Sequence, residues 1–267
     1  MLATMDVVTM PHWWQAKRLL SRLEKSEHGR LFGAAFPSMG DEFHQPWDPP
    51  PKNTFVGNFF RRDGWGNMSN PRRLFALMAW QDHNELARFE AGNPWPENAV
   101  EHFHTVLRPV RSHGDVLGSN PMGEEIERAR GNEHYPGIVI TWANFPGKYV
   151  ANFLPVLRMA VGGNHGAPGA LASWGAVRRN NPLRFKGFTV SLWRTLGEAA
   201  QFAYRHESHR EALDWFHSHP AASESWFGRF VLEQRTGTVA GRDPFEGIEP
   251  APPAAEPEPA LAEGAVG

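Results

Sequence analysis

The chain has 267 residues, of which 41% are hydrophobic, and a formal net charge of -2 at pH 7. This length suits one large globular domain or two smaller packed ones, and so weak a charge gives no general attraction for nucleic acid or anionic membranes. Because the sequence has no cysteine, disulfides, thiolate nucleophiles, zinc fingers and iron–sulfur clusters are excluded. We see no secretion signal and no run near the roughly 20 apolar residues of a membrane helix, so we expect a cytoplasmic protein without an integral membrane segment.

The first half predicts the element order strand–helix–strand–strand–helix–strand. The predicted strands cover residues 2–9, 30–38, 72–80 and 105–110. Pro11 opens the first helix, which ends near Gly29, and Asp82 caps the second, which ends near Ala91. A further helical piece is expected at 97–103.

Two stretches fall outside this pattern. Residues 41–70 contain three consecutive prolines and many Gly and Asn, which argue against regular structure, while their aromatic residues argue against disorder. We expect an ordered loop there, either a lid or a surface loop held by its own aromatic side chains. Residues 246–267 are rich in Pro, Ala and Glu and are predicted to be a disordered tail.

The second half predicts the same order of elements. Its strands are expected at residues 137–144, 170–178, 184–193 and 226–234, the middle two forming a hairpin. Its helices are expected at 149–161 and 196–217.

The halves also match in sequence at two places. Residues 74–89 (LFALMAWQDHNELARF) match 187–202 (GFTVSLWRTLGEAAQF) at an offset of 113. A second block matches at an offset of 123: Gly114, Val116, Gly118 and Pro121 correspond to Gly237, Val239, Gly241 and Pro244. Two blocks in the same order are hard to obtain by chance. The sequence therefore predicts an α+β fold of two fused ferredoxin-like (βαββαβ) repeats, residues 1–122 and 135–245, which form a dimeric-α/β-barrel-type unit.

An apolar stripe on the predicted helix 196–217 carries two histidines. Its members are spaced three or four residues apart: Ala199, Phe202, His206, His209, Leu213 and Phe216. An unpaired polar ring on a buried stripe costs about 1–3 kcal/mol, so both rings need a partner. The partner is either a cofactor or the backbone of an ordinary core.

The second half resembles spheroidene monooxygenase and its relatives in the dimeric α/β-barrel superfamily. The similarity lies in FTVSLW at 188–193, SHREAL around His209 and SWFGRF at 225–230, whereas the first half is similar mainly at 74–89. It implies a haem-containing monooxygenase acting on a hydrophobic, carotenoid- or isoprenoid-like substrate. The segment 41–70 and the acidic tail depart from the family pattern. The sequence names no electron donor and leaves a homo-oligomer open.

Haem is compatible with the residues themselves. Side chains cannot activate dioxygen, and without cysteine the obvious haem ligand is histidine. With the resemblance, His209 is the expected iron ligand and His206 its competitor. The other residues expected at the cofactor are Trp193, Phe202, Leu213 and Phe216 as lining and Arg178 and Arg184 for the propionates, although cations on a turn are more often a solvated edge.

Other interpretations stay open. A non-haem iron site could use His206, His209 and a nearby glutamate, Glu198 or Glu211. The fold could also serve a cofactor-free binding protein for a hydrophobic ligand, or a cofactor-independent oxygenase. The H-x-H pairs at 102–104 and 217–219 are placed near helix ends, where side chains two apart diverge, so a metal is not expected at either pair. Neither a nucleophile-elbow motif nor a dinucleotide-binding motif is present.

Overall fold

The computed structural model describes residues 1–25, 32–44, 70–92, 94–116, 118–127, 129–146, 167–181, 184–218 and 224–253. The strands in these ranges are β1 Leu2–Thr9, β2 Phe32–His44, β3 Asn70–Trp80, β4 Glu101–Gly114, β5 Gly137–Pro146, β6 Ala170–Asn181, β7 Arg184–Trp193 and β8 Glu224–Gly237. The helices in the same ranges are α1 Trp13–Lys25, α2 His83–Ala91, α3 Leu196–Arg205 and α4 Glu207–Ser218. None of the described helices is long and apolar enough to cross a membrane.

The strands form one closed, curled sheet in which every neighbouring pair is antiparallel. The order around it is β1-β3-β2-β6-β7-β5-β8-β4. Read by halves, β2-β3-β1-β4 and β6-β7-β5-β8 have the same internal order. The halves meet where β2 pairs with β6 and where β4 pairs with β8. The structure is therefore an α+β fold with an antiparallel sheet, as the sequence predicts at that level.

The seam between β4 and β8 is symmetric. Phe103 pairs with Gly237, and Gly114 pairs with Trp226, so each strand ends opposite the start of the other. Both glycines have a positive φ, 83° and 78°. A Cβ at Gly114 would lie 2.2 Å from the carbonyl oxygen of Ser225, and one at Gly237 would lie 1.8 Å from that of His102. Only glycine fits this close approach, which explains why the repeated block at an offset of 123 carries it at both places.

In the repeated block at 74–89 and 187–202, the helices α2 and α3 begin in the same way. The Asp82 carboxylate accepts a hydrogen bond from the Glu85 N–H at 2.8 Å, and the Thr195 hydroxyl accepts one from the Glu198 N–H at 3.1 Å. These side chains satisfy backbone N–H groups that a helix start leaves without a partner. The predicted helix from the Asp82 cap to Ala91 is confirmed.

A tryptophan at the end of a strand packs on the helix that follows it in both halves. The ring centroids of Trp80 and Phe89 lie 4.7 Å apart, and those of Trp193 and Phe202 lie 5.4 Å apart. All four side chains are buried. The strand-to-helix corner is therefore held by one aromatic pair on the outer face of each half of the sheet.

Side chains fill the interior of the closed sheet. Alternate residues point inward, so Met5 of β1 belongs to the interior cluster and Val8 to the outer one beneath the helices. Phe188 packs on Trp142 at 4.8 Å and on Phe75 at 5.4 Å, which joins the two halves across the interior. An eight-stranded sheet encloses about the space that side chains can fill.

Several predicted boundaries shift. The helical piece expected at 97–103 is wrong, because residues 101–103 already belong to β4. Strand β2 continues to His44, so the segment 41–70 starts inside a strand, and its residues 45–69 lie outside the described ones. The helix expected at 149–161 also falls outside them.

The predicted long helix at 196–217 divides in two. At His206 the backbone is extended, with φ −75° and ψ 126°, so α3 stops at Arg205 and α4 starts at Glu207. The break ends the predicted apolar stripe, because residues on either side of it no longer share one helix axis.

The tail predicted for 246–267 is ordered where it starts. The Ala251 N–H donates to the Leu232 carbonyl at 2.9 Å, and the Ala251 side chain is buried with Val110 and Val231. This stretch packs on the sheet because its backbone finds a partner on β8. Residues 254–267 lie outside the described part of the chain.

Candidate functional site

The first candidate site centres on His209, in the first turn of α4. Its Nδ1 lies 2.9 Å from the carbonyl oxygen of Ala203, which is in the last turn of α3. A carbonyl only accepts, so Nδ1 carries the proton and donates it. The neutral ring then has its lone pair on Nε2, and among the described residues none is hydrogen-bonded to that atom.

The break at His206 creates this hydrogen bond. In a continuous helix the Ala203 carbonyl would accept from the N–H of residue 207, four positions on. Because α3 ends at Arg205, that carbonyl is one of the four that a helix end leaves without an intrahelical partner. The His209 ring donates a hydrogen bond to it instead. The ring is thereby fixed relative to both helices.

Burial lowers the pKa of His209 below its ordinary value of about 6.5. The nearby His206 acts in the same direction, while the hydrogen bond to the Ala203 carbonyl opposes it without reversing the result. His209 is therefore a neutral imidazole at pH 7, which is the form that binds a metal.

The predicted site residues fall into two groups. Trp193 and Phe202 are buried against each other, and the Phe202 ring meets His209 edge-on at 5.2 Å and His206 at 4.8 Å. His206 itself is exposed at the helix break. The structure thus places His209 against Phe202, with Trp193 packed on Phe202.

The remaining predicted residues lie on α4, on the β6–β7 hairpin and at the start of α3. Leu213 is 37% exposed, and Phe216 is partly buried on the same helix. Arg178 and Arg184 lie on β6 and β7 near the end of that hairpin, and their side chains are outside the described part of the structure. Glu198, an alternative iron ligand, instead receives a hydrogen bond from the Thr195 hydroxyl at the start of α3.

A second constellation joins β1 and β4 in the first half. Asp6 is opposite His104 in the strand register, and its Oδ1 lies 2.7 Å from Nδ1 of His104 and 2.8 Å from Nε2 of His102. The sequence interpretation placed this H-x-H pair at a helix end and was wrong. On a strand, side chains two apart face the same side, so both rings converge on the aspartate.

The Asp6 carboxylate is completely buried, while the side chains of His102 and His104 are 27% and 15% exposed. Burial alone would raise the pKa of Asp6, but the two histidines outweigh it and the pKa is lowered. Burial would lower the pKa of His104, but Asp6, with help from Glu90, raises it. Oδ1 receives both contacts, and Oδ2 is buried without a hydrogen bond in the described structure.

The sequence carried a signal for this cluster. Residues 101–107 (EHFHTVL) place Phe103 between two polar residues, which is the period-2 alternation of a half-buried strand, and the LATMDVVT strand holds one acid in an apolar run. The prediction of a helix at 97–103 is incompatible with this alternation, which the structure shows to be that of strand β4. Of the other H-x-H pair, the His217 side chain and His219 lie outside the described part.

No protein-family model and no curated protein sequence matches the chain. Among solved structures, aldoxime dehydratase in complex with butyraldoxime is similar over 86% of this chain and 79% of that chain, with a TM-score of 0.54 and 10% identity. An uncharacterized ferredoxin-fold protein of Listeria monocytogenes, related to antibiotic biosynthesis monooxygenases, covers 85% of this chain and 94% of its own, with a TM-score of 0.28 and 10% identity. A heme-degrading enzyme of the same species covers 84% and 98%, with a TM-score of 0.29 and 8% identity.

At these identities the similarity concerns the fold. The aldoxime dehydratase match, with a TM-score of 0.54, shows that the two chains share a fold over most of their length. The closer resemblance to spheroidene monooxygenase stays a prediction from the sequence motifs.

Proposed function

We propose that this protein is a haem-dependent, monooxygenase-like enzyme that oxidises a hydrophobic, carotenoid- or isoprenoid-like substrate, with His209 as the iron ligand. The observation that carries the proposal is the hydrogen bond from His209 Nδ1 to the Ala203 carbonyl. It fixes the tautomer and the ring direction and leaves Nε2 for a metal, which is the usual arrangement of a ligand histidine.

The residues present fit haem in their donor chemistry. His209 is held as a neutral imidazole, and Phe202 and Trp193 provide flat apolar surface beside it. When bound, haem would supply the activation of dioxygen that side chains cannot perform. Arg178 and Arg184 remain the proposed partners of its propionates.

This chain's own residues would do the positioning. The α3–α4 break holds the His209 ring, and the buried pair of Trp193 and Phe202 excludes water from one side of it. Leu213 and Phe216 follow His209 at helical spacing on α4 and are not fully buried. This apolar face supports a hydrophobic substrate.

We also propose that the closed sheet is built from two fused ferredoxin-like repeats. The common strand order of the halves, their matching Trp–Phe corners and the symmetric β4–β8 seam support this arrangement. The proposed cofactor site then belongs to the second repeat. Among the described residues, that repeat has the helix α4 between its Trp–Phe corner and its last strand, and the first repeat has no helix at the corresponding place.

The test is reconstitution with hemin followed by absorption spectroscopy and iron analysis. Wild-type protein should show a Soret band with one iron per chain. His209→Ala should lose it, and added imidazole should partly restore it. His209→Gln can still donate to the Ala203 carbonyl but is a poor iron ligand, so it should keep the fold and also lose haem.

His206→Ala is the matched control, because it removes a histidine three residues away that is exposed. It should bind haem with at most a changed spectrum. A wild-type protein that stays colourless with hemin would contradict the proposal and favour a cofactor-free binding protein or a cofactor-independent oxygenase. Loss of haem in His206→Ala with normal binding in His209→Ala would reassign the ligand to His206.

A further inference from the structure

We infer that Asp6, His102 and His104 form a binding site for one divalent transition-metal ion on the outer face of the first half of the sheet. The site is separate from His209 and does not depend on haem. It is not foreseen by the sequence interpretation, which expected no metal at this H-x-H pair.

The geometry places three ligand atoms around one point. One carboxylate oxygen of Asp6 and one ring nitrogen each of His102 and His104 all lie within 4.8 Å of one another. Ligand atoms about 2.0–2.2 Å from a central ion are separated by roughly 3–3.5 Å. The observed N···O separations of 2.8 and 2.7 Å are a few tenths of an ångström shorter, so a bound ion would require these ligand atoms to move slightly apart.

The buried carboxylate oxygen is the second observation. Oδ2 of Asp6 is inaccessible to solvent and accepts no hydrogen bond in the described structure. A buried acceptor without a partner costs about 1–3 kcal/mol, and more when it is charged. A cation beside the carboxylate removes this cost because a metal ion can be bound by either oxygen or by both.

The surroundings resemble the outer shell of a metal site. The other nitrogen of His104, Nε2, lies 3.4 Å from a carboxylate oxygen of Glu90, which is 44% exposed. A carboxylate behind a ligand imidazole orients the ring and increases its basicity. The ring of His102 lies tilted against that of Trp95 with centroids 5.0 Å apart. The His102 side chain is 27% exposed, so the cluster has a face open to solvent.

The donor set selects the class of ion. Two imidazole nitrogens and one carboxylate suit Zn²⁺, Co²⁺ or Fe²⁺, whereas Mg²⁺ and Ca²⁺ prefer oxygen ligands alone. Three protein ligands leave at least one position for water, which is the composition of an open metal site rather than a closed structural one. The competing explanation is a metal-free charge pair between Asp6 and His104.

The experiment titrates the full-length, haem-free protein with Co²⁺ and follows visible d–d absorption, with competition by Zn²⁺ and with calorimetry. Wild type should bind one ion tightly. His102→Ala, which removes the most exposed ligand, should fold normally by circular dichroism and lose more affinity than the roughly 10–100-fold typical of an outer-shell change. Glu90→Gln should fall within that outer-shell range.

His113→Ala is the matched control. His113 lies on the same strand with its Nδ1 2.8 Å from a Glu125 carboxylate oxygen, but both side chains are exposed, at 70% and 61%. This variant and His209→Ala should both bind the ion as wild type does, which separates the site from surface histidines and from the haem proposal. Binding that is no weaker in His102→Ala than in His113→Ala would overturn the inference and leave the cluster as a charge pair.

Discussion

Both halves of the molecule have histidines near the Trp–Phe pair that joins a strand to a helix, but the histidines come from different elements. In the first half, His102 and His104 are on a strand and meet a buried acid, while Trp95 stands edge-on to Phe89 at 6.3 Å. In the second half, His209 comes from a helix and itself stands edge-on to the matching Phe202 at 5.2 Å.

The two halves differ here because the chain between the two repeated blocks is longer in the second half. The offset grows from 113 at the Trp–Phe block to 123 at the glycine block, and the extra residues fall where α4 lies. With them, the chain forms a second helix and returns a histidine to the end of α3. Without them, residues 94–100 lead directly into β4. A corner that is conserved in geometry can therefore carry two unrelated polar sites.

The largest expected effect concerns the buried Asp6 in the first half of the molecule. In metal-free protein, Asp6→Ala removes the buried acceptor of two histidine contacts and should reduce the free energy of unfolding by about 3 kcal/mol, since a hydrogen bond to a charged group contributes about 1.5–3 kcal/mol. His209→Ala removes one hydrogen bond to a helix-end carbonyl and should reduce it by only about 0.5–1.5 kcal/mol. Urea denaturation of both variants measures the two values, and equal losses would contradict the contrast in burial.

The symmetric seam gives the second prediction. Gly114→Ala and Gly237→Ala each place a Cβ against a backbone carbonyl at a positive φ, so each should destabilise the protein by about 1–3 kcal/mol or more. Gly118→Ala is the control: it shares the positive φ but has open space at its Cβ. Thermal unfolding should rank it as the mildest of the three. If Gly118→Ala is as damaging as the others, the close carbonyl contacts do not set the cost.

The helix caps should be equivalent in the two halves. Asp82→Ala and Thr195→Ala each remove the side chain that accepts from the third residue of its helix, and each should lower stability by about 1 kcal/mol. Asp82→Asn and Thr195→Ser keep an acceptor and should recover most of it. Chemical denaturation compares the four variants, and a cap that matters in only one half would break the parallel.

The smallest effect concerns the exposed pair of His113 and Glu125. The Gly114 N–H, then His113, lowers the pKa of Glu125 below its ordinary value. A lowered pKa in the folded state means that the contribution to stability is present above the unfolded pKa and is lost as pH falls through the folded one. NMR titration of the Glu125 carboxyl should show the lowered value, and His113→Ala should move it back toward about 4.3. An unchanged midpoint in that variant would show that His113 has no part in it.

Local sequence determined much of the fold because local interactions decide it. The strand Leu2–Thr9 follows from its apolar pattern. The helix that Asp82 caps follows from an aspartate three residues before the N–H group whose hydrogen bond it accepts. Both predictions are confirmed. The paired glycines and the Trp–Phe spacing also appear in the sequence as blocks. The strand and the capped helix each involve residues within one strand or one short helix, whereas the repeated blocks show themselves by comparison of the two halves.

The tertiary structure decided the rest. The closure of the sheet through β2–β6 and β4–β8 and the meeting of Asp6 with His102 and His104 join residues far apart in the chain, which no local pattern encodes. The break at His206 was likewise hidden, since the three-and-four spacing runs through it unchanged. Spacing records which residues share a face only while the helix continues. At His206 the helix stops, and the Ala203 carbonyl that it leaves without an intrahelical partner accepts from the His209 ring instead.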